Sequence, residues 1–130
     1  MWIKTIHTGA FDFFRKELNT AKKFESERCV VTMGVNEKMN ESASFLKFVR
    51  ISIGRHFNGD WGEMPEEDKK ENERALKSGF GRLMSAYVFI KGKTVNDMIG
   101  DFKQYDDETK IWIITEWDRS VTTVLFPHEY

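Results

Sequence analysis

The sequence predicts an α+β fold: about four strands in an antiparallel sheet, with two to three helices packed mainly on one face. Apolar residues recur at three- and four-residue steps in the first half, β-branched runs fill the second half, and the last three strand-like runs are consecutive. Those observations carry the expectation. At 130 residues, 40% of them hydrophobic and 14% aromatic, the chain has the length and the apolar content of one domain. The expected organisation is a single domain over 1–130, with a helical amino-terminal extension over 1–27 and an acidic insertion over 92–109.

Phe11, Phe14, Leu18 and Ala21 follow Gly9 at the spacing of one helical face, which predicts a first helix over 10–25. Glu25-Ser26-Glu27 breaks it. The run from Cys29 to Val35 is β-branched and short, so it reads as a buried strand ending near Gly34. Asn40 or Ser42 can cap a second helix whose stripe is Phe45, Leu46, Val49 and Ile53, and Gly59 closes it. Pro65, followed by Glu66, Glu67 and Asp68, opens a third helix that Lys77 and Gly79 end. With Ala75 and Leu76 as its main apolar residues, that helix belongs on the surface. Leu83 to Ile90 and Ile111 to Trp117 are strands by residue type. Asp118-Arg119-Ser120 is a turn, and Val121 to Phe126 returns antiparallel until Pro127 stops it.

Composition excludes several classes of function. The 20 basic and 21 acidic residues leave a net charge of -1, which disfavours direct binding to nucleic acid. Cys29 is the single cysteine, so no intrachain disulfide forms, and no apolar run reaches the roughly 18 residues of a membrane span. The start, Met1 to Lys4, has no signal-peptide core, and a cytoplasmic location is expected.

Two clusters concentrate chemistry. Arg55-His56-Phe57-Asn58-Gly59-Asp60-Trp61-Gly62 gathers a guanidinium, an imidazole, a carboxylate and an indole at a helix end. It reads first as structure: Arg55 and His56 serve the helix terminus, Asp60 orders the loop and Trp61 plugs the core. Glu116, Asp118 and Arg119 at the hairpin tip, near Arg82, likewise read as turn and salt-bridge chemistry. A metal site needs three or four converging ligands, whereas His7, Cys29, His56 and His128 are scattered. Neither a nucleophile motif nor a phosphate- or dinucleotide-binding glycine pattern is present. The expectation is a non-enzyme without metal or cofactor.

A resemblance adds to this reading. RHFNGDWG at 55–62, PEEDKKENERAL at 65–76 with Gly79 and Arg82, SAY at 85–87, IWIITEWDRSVTTVLFP at 111–127 and the final Glu129-Tyr130 resemble an uncharacterised family of small bacterial proteins. Its members occur on plasmids, phages and other mobile elements and are sometimes labelled restriction-system accessory proteins. The resemblance spans about half the chain, and Trp117 stands where relatives tend to carry a small residue. It implies a protein that binds a protein, foremost an inhibitor of a host defence nuclease such as a CRISPR effector or a restriction enzyme. The alternatives are a small metal-dependent nuclease or hydrolase built from His56, Asp60, Glu116 and Asp118, and a housekeeping binding module. Candidate partner-binding residues are Asp97, Asp101, Asp106, Asp107 and Glu108 of the acidic insertion, Phe13 of the first helix, and Trp117.

Overall fold

A computed structural model describes residues 3–5, 22–90 and 110–130. The described chain is an α+β domain. Its elements are β1 (Ile3–Thr5), β2 (Arg28–Thr32), α1 (Met33–Glu41), α2 (Ala43–Phe57), α3 (Glu66–Ser78), β3 (Leu83–Val88), β4 (Lys110–Thr115), β5 (Val121–Leu125) and a 3₁₀ turn at Pro127–Glu129. Four strands make the body of the sheet, and the three-residue β1 extends its edge, in the order β1-β2-β5-β4-β3.

The sheet is mixed, which corrects the expectation of a purely antiparallel one. β3, β4 and β5 form an antiparallel meander, with Ser85 opposite Ile113 and Ile113 opposite Val124, but β2 lies parallel to β5, with Val30 opposite Thr123. Helices intervene between β2 and the later strands, so nothing forces β2 into a hairpin, and parallel pairing is open to it.

Two further corrections concern the first third of the chain. β2 ends at Thr32, not near Gly34, because the Thr32 hydroxyl accepts from the Val35 N–H at 3.3 Å and caps α1. The run Met33-Gly34-Val35 is therefore the first turn of a helix that strand-like residue types concealed. Residues 22–25, expected to finish the first helix, are irregular, and Ile3–Thr5 in the expected helical extension is strand. The rest of that predicted helix and the insertion over 92–109 lie outside the described residues.

α2 supplies the main cover of the sheet. Ser42 caps it by accepting the Phe45 N–H at 3.2 Å, and Phe45, Phe48, Val49, Ser52, Ile53, His56 and Phe57 fall on its buried side. Phe45, Phe48, Val49, Ile53 and Phe57 pack with Val31, Tyr87, Ile111, Ile113, Val124 and Phe126 in one core. A smaller cluster of Trp61, Ala75 and Leu83, with Phe24, Met64 and Leu76 against it, joins α3 to the sheet. α3 buries only Asn72 and Ala75, as its sparse apolar content predicts.

Asn72 has a specific place. Its amide donates to the Met84 carbonyl at 2.7 Å and accepts the Met84 N–H at 3.1 Å, so one side chain stands in for a neighbouring strand. Two residues on, the Ala86 N–H donates to the Trp61 carbonyl at 3.2 Å and the Ala86 carbonyl accepts the Glu63 N–H at 2.7 Å. The open edge of β3 is closed from Met84 to Ala86. Among the described residues, no helix is long and apolar enough to cross a membrane.

Candidate functional site

The RHFNGDWG segment builds the corner that closes the edge of β3. Asp60 takes Arg55 Nε at 2.7 Å and Nη2 at 3.2 Å, and its Oδ1 also accepts the Gly62 N–H at 3.2 Å. Tyr87 donates its hydroxyl to the Asp60 carbonyl, and the Arg55 guanidinium lies 4.7 Å above the Tyr87 ring. Partial burial pushes the Asp60 carboxyl up, but the hydrogen bonds and charge of Arg55 outweigh it and hold the group below the usual carboxylate range. Gly62 has φ +68°, and a Cβ there would stand 2.1 Å from the Ala86 carbonyl oxygen. Only glycine fits. Trp61 is 4% exposed, and its indole N–H donates to Glu73 at 3.0 Å.

His56 is fully buried between two hydroxyls, Ser85 Oγ at 2.5 Å from Nδ1 and Thr115 Oγ1 at 2.8 Å from Nε2. The chain continues: Thr115 lies 2.7 Å from Thr122, Thr122 donates to Ser26 at 2.7 Å, and Ser26 donates to the Arg28 carbonyl at 3.0 Å. A carbonyl only accepts, and each hydroxyl has one proton, so the direction runs back from Arg28 and fixes the tautomer. Nε2 carries the proton and donates to Thr115, and Nδ1 accepts from Ser85. Burial, with a contribution from the Arg119 charge, lowers the His56 pKa to about 3. A neutral, doubly bonded imidazole out of contact with solvent holds the sheet to α2; no substrate reaches it.

At the hairpin tip, Arg119 acts as a clamp. It has φ 63°, unusual for a residue with a side chain, and from there its guanidinium reaches four carbonyls. Nη1 donates to Gly81, to Glu116 at 3.3 Å and to Trp117 at 3.3 Å, and Nη2 donates to Ala75 at 3.1 Å. The cation thus sits at the negative end of α3. Asp118 orders the same turn by accepting the Ser120 N–H at 3.0 Å, and the bonds from Ser120 hold its carboxyl below the ordinary range. What the clamp presents is aromatic. Trp117 is 52% exposed and Phe80 62%, and their rings lie 5.1 Å apart. The backbone links them again, through the Gly81 N–H to the Trp117 carbonyl at 3.4 Å. This pair is the candidate contact site.

Beside it, the sheet face turned away from α2 is hollowed. An open groove of about 620 Å³ lies between α3 and the outer face of β3 and β4, with Met64, Met84, Ala86 and Trp112 among its apolar lining. Tyr130 closes one end, its ring 5.7 Å from Trp112 and beneath the Arg82 guanidinium at 5.1 Å. A smaller hollow of about 260 Å³, also lined by Arg82 and Tyr130, continues to Glu116.

The sequence-predicted residues thus fall into separate groups. Arg55, Asp60 and Trp61 meet at one corner, His56 is interior beside them, and Asp118 and Arg119 shape the turn that carries Glu116 and Trp117. Among the described residues, no three His, Cys, Asp or Glu side chains stand close enough to hold a metal ion, so His56, Asp60, Glu116 and Asp118 form no such site. Phe13, Asp97, Asp101, Asp106, Asp107 and Glu108 lie outside the described residues. Sequence reasoning missed Phe80. Its signal was present, because an aromatic residue between Gly79 and Gly81 lies beyond the apolar stripe of any element. No protein-family model, curated protein or solved structure matches the chain.

Proposed function

We propose that the protein acts by binding another protein through the surface around Phe80 and Trp117, as a mobile-element inhibitor of a host defence nuclease. One observation carries the binding surface: two large aromatic side chains, each more than half exposed, are held side by side by the Arg119 clamp. Exposed aromatic anchors on a rigid support lose little conformational entropy when covered, and such residues dominate binding energy at protein interfaces. The titratable groups that a hydrolase would need are engaged elsewhere, His56 in the core and Asp60 with Arg55. The class of partner, a CRISPR effector or a restriction enzyme, and the cytoplasmic setting rest on the resemblance to mobile-element proteins.

DNA cleavage by purified CRISPR effectors and restriction enzymes, with the protein added in stoichiometric steps, tests the proposal. The expected result is inhibition that saturates at a fixed ratio, with no cleavage by the protein itself. Metal-dependent DNA hydrolysis by the protein alone, or full nuclease activity throughout, contradicts it.

A further inference from the structure

We propose that the groove between α3 and the outer face of β3 and β4 receives an extended segment of the partner carrying a cationic side chain next to an apolar one. The inference rests on the protein-binding reading and gives the partner's chemistry. A volume of about 620 Å³ is within the range of ligand clefts, and its floor of Met64, Met84, Ala86 and Trp112 is apolar and adaptable. The wall on the side of α3 is acidic, with Glu63, Asp68 and Glu71. Glu66, Glu67 and Glu71 each take a basic residue three positions on, whereas Glu63 and Asp68 make no ion pair with a described residue. Two carboxylates beside an apolar floor suit an arginine or lysine flanked by an aliphatic residue.

The basic groups of the groove stand at its ends. Arg82 lies over Tyr130 just before β3, and Lys110 pairs with Val88, about 20 Å from Arg82 along the strand at roughly 3.4 Å per residue. That leaves the middle for the cation. The incoming segment cannot add as a strand from Met84 to Ala86, because Asn72, Trp61 and Glu63 already hold those backbone groups. Recognition therefore falls to side chains, and basic segments that bind nucleic acid in a nuclease have the required composition.

The test is an amide-shift titration of the full chain with acetyl-Leu-Arg-Leu-Arg-amide, using acetyl-Leu-Glu-Leu-Glu-amide as the opposite charge. The expected result is that the basic peptide shifts Met64, Asp68, Met84 and the Trp112 indole, and binds more weakly as salt rises. Glu63→Gln with Asp68→Asn, at two exposed positions, weakens it about fivefold at unchanged Tm, as two exposed ion pairs predict. Preference for the acidic peptide, or shifts that avoid the groove, overturns the proposal. If the groove fails while nuclease inhibition still needs Phe80 and Trp117, only the groove is lost; if it binds the peptide while no nuclease is inhibited, the inhibitor reading is lost and the groove stands.

Discussion

The rings of Phe80 and Trp117 stand 5.1 Å apart and tilted by 57°, on two loops that share one arginine. Phe80 follows the end of α3, Trp117 sits in the β4–β5 turn, and Arg119 donates to carbonyls in both segments. Exposed apolar rings gain little from meeting each other in water when the surrounding loops are free, so their pairing depends on that clamp.

Arg119→Lys therefore exposes the clamp's role. An ammonium cannot span the four carbonyls that the planar guanidinium reaches, and the loss should be about 1–3 kcal/mol, the range for hydrogen bonds made by a charged group. Urea unfolding measures the loss. Hydrogen exchange at Gly81 should quicken more than at the strands.

Trp61→Ala should lower stability by about 3–5 kcal/mol, the usual range for removing a buried large aromatic. Trp61 packs against Phe24 and His56 and donates to Glu73, so the variant loses packing and a hydrogen bond together. Chemical denaturation reads the change.

His56 couples stability to pH. Its folded pKa is about 3 and the unfolded value 6.5, so between these the unfolded chain binds one more proton. The stability that His56 confers is complete above pH 6.5 and falls as pH drops toward 3, by at most about 1.4 kcal/mol per pH unit. His56→Gln should lose this part of the slope and be less stable at pH 7. Nitrogen-edited NMR of the imidazole at pH 5 should show a neutral ring with its proton on Nε2.

Cys29 is buried, and burial pushes its thiol pKa up to about 12. A disulfide reagent should leave it unmodified in the folded protein at pH 8 and react fully in denaturant. Fast reaction in the native protein would contradict the placement of β2.

Much of this fold was legible as local pattern. The stripe Phe45, Val49, Ile53, the cap at Ser42 and the closing Gly79 each leave a mark within a few residues, and the helices stand where those marks put them. The parallel pairing of β2 with β5 leaves no such mark, since partner and direction depend on contacts far along the chain. Helix α1 was hidden because Met33-Gly34-Val35 has the composition of a strand, and tertiary context overrode it: Thr32 caps the helix and also donates to Glu129 at 2.6 Å, near the end of the chain. At the candidate site, Trp117 was legible as a candidate contact residue, but its exposure, its partner Phe80 and the groove arise only when α3, β3 and the β4–β5 hairpin are brought together.

The most direct test of the account is the affinity for an inhibited nuclease of the wild-type protein and of the double variant Phe80→Ala, Trp117→Ala. Both residues are exposed, so the melting temperature should hold, while loss of two interface anchors should weaken binding by at least about 2 kcal/mol, or roughly 30-fold. A folded double variant that binds and inhibits with unchanged affinity would contradict the claim that this aromatic pair is the protein's contact surface.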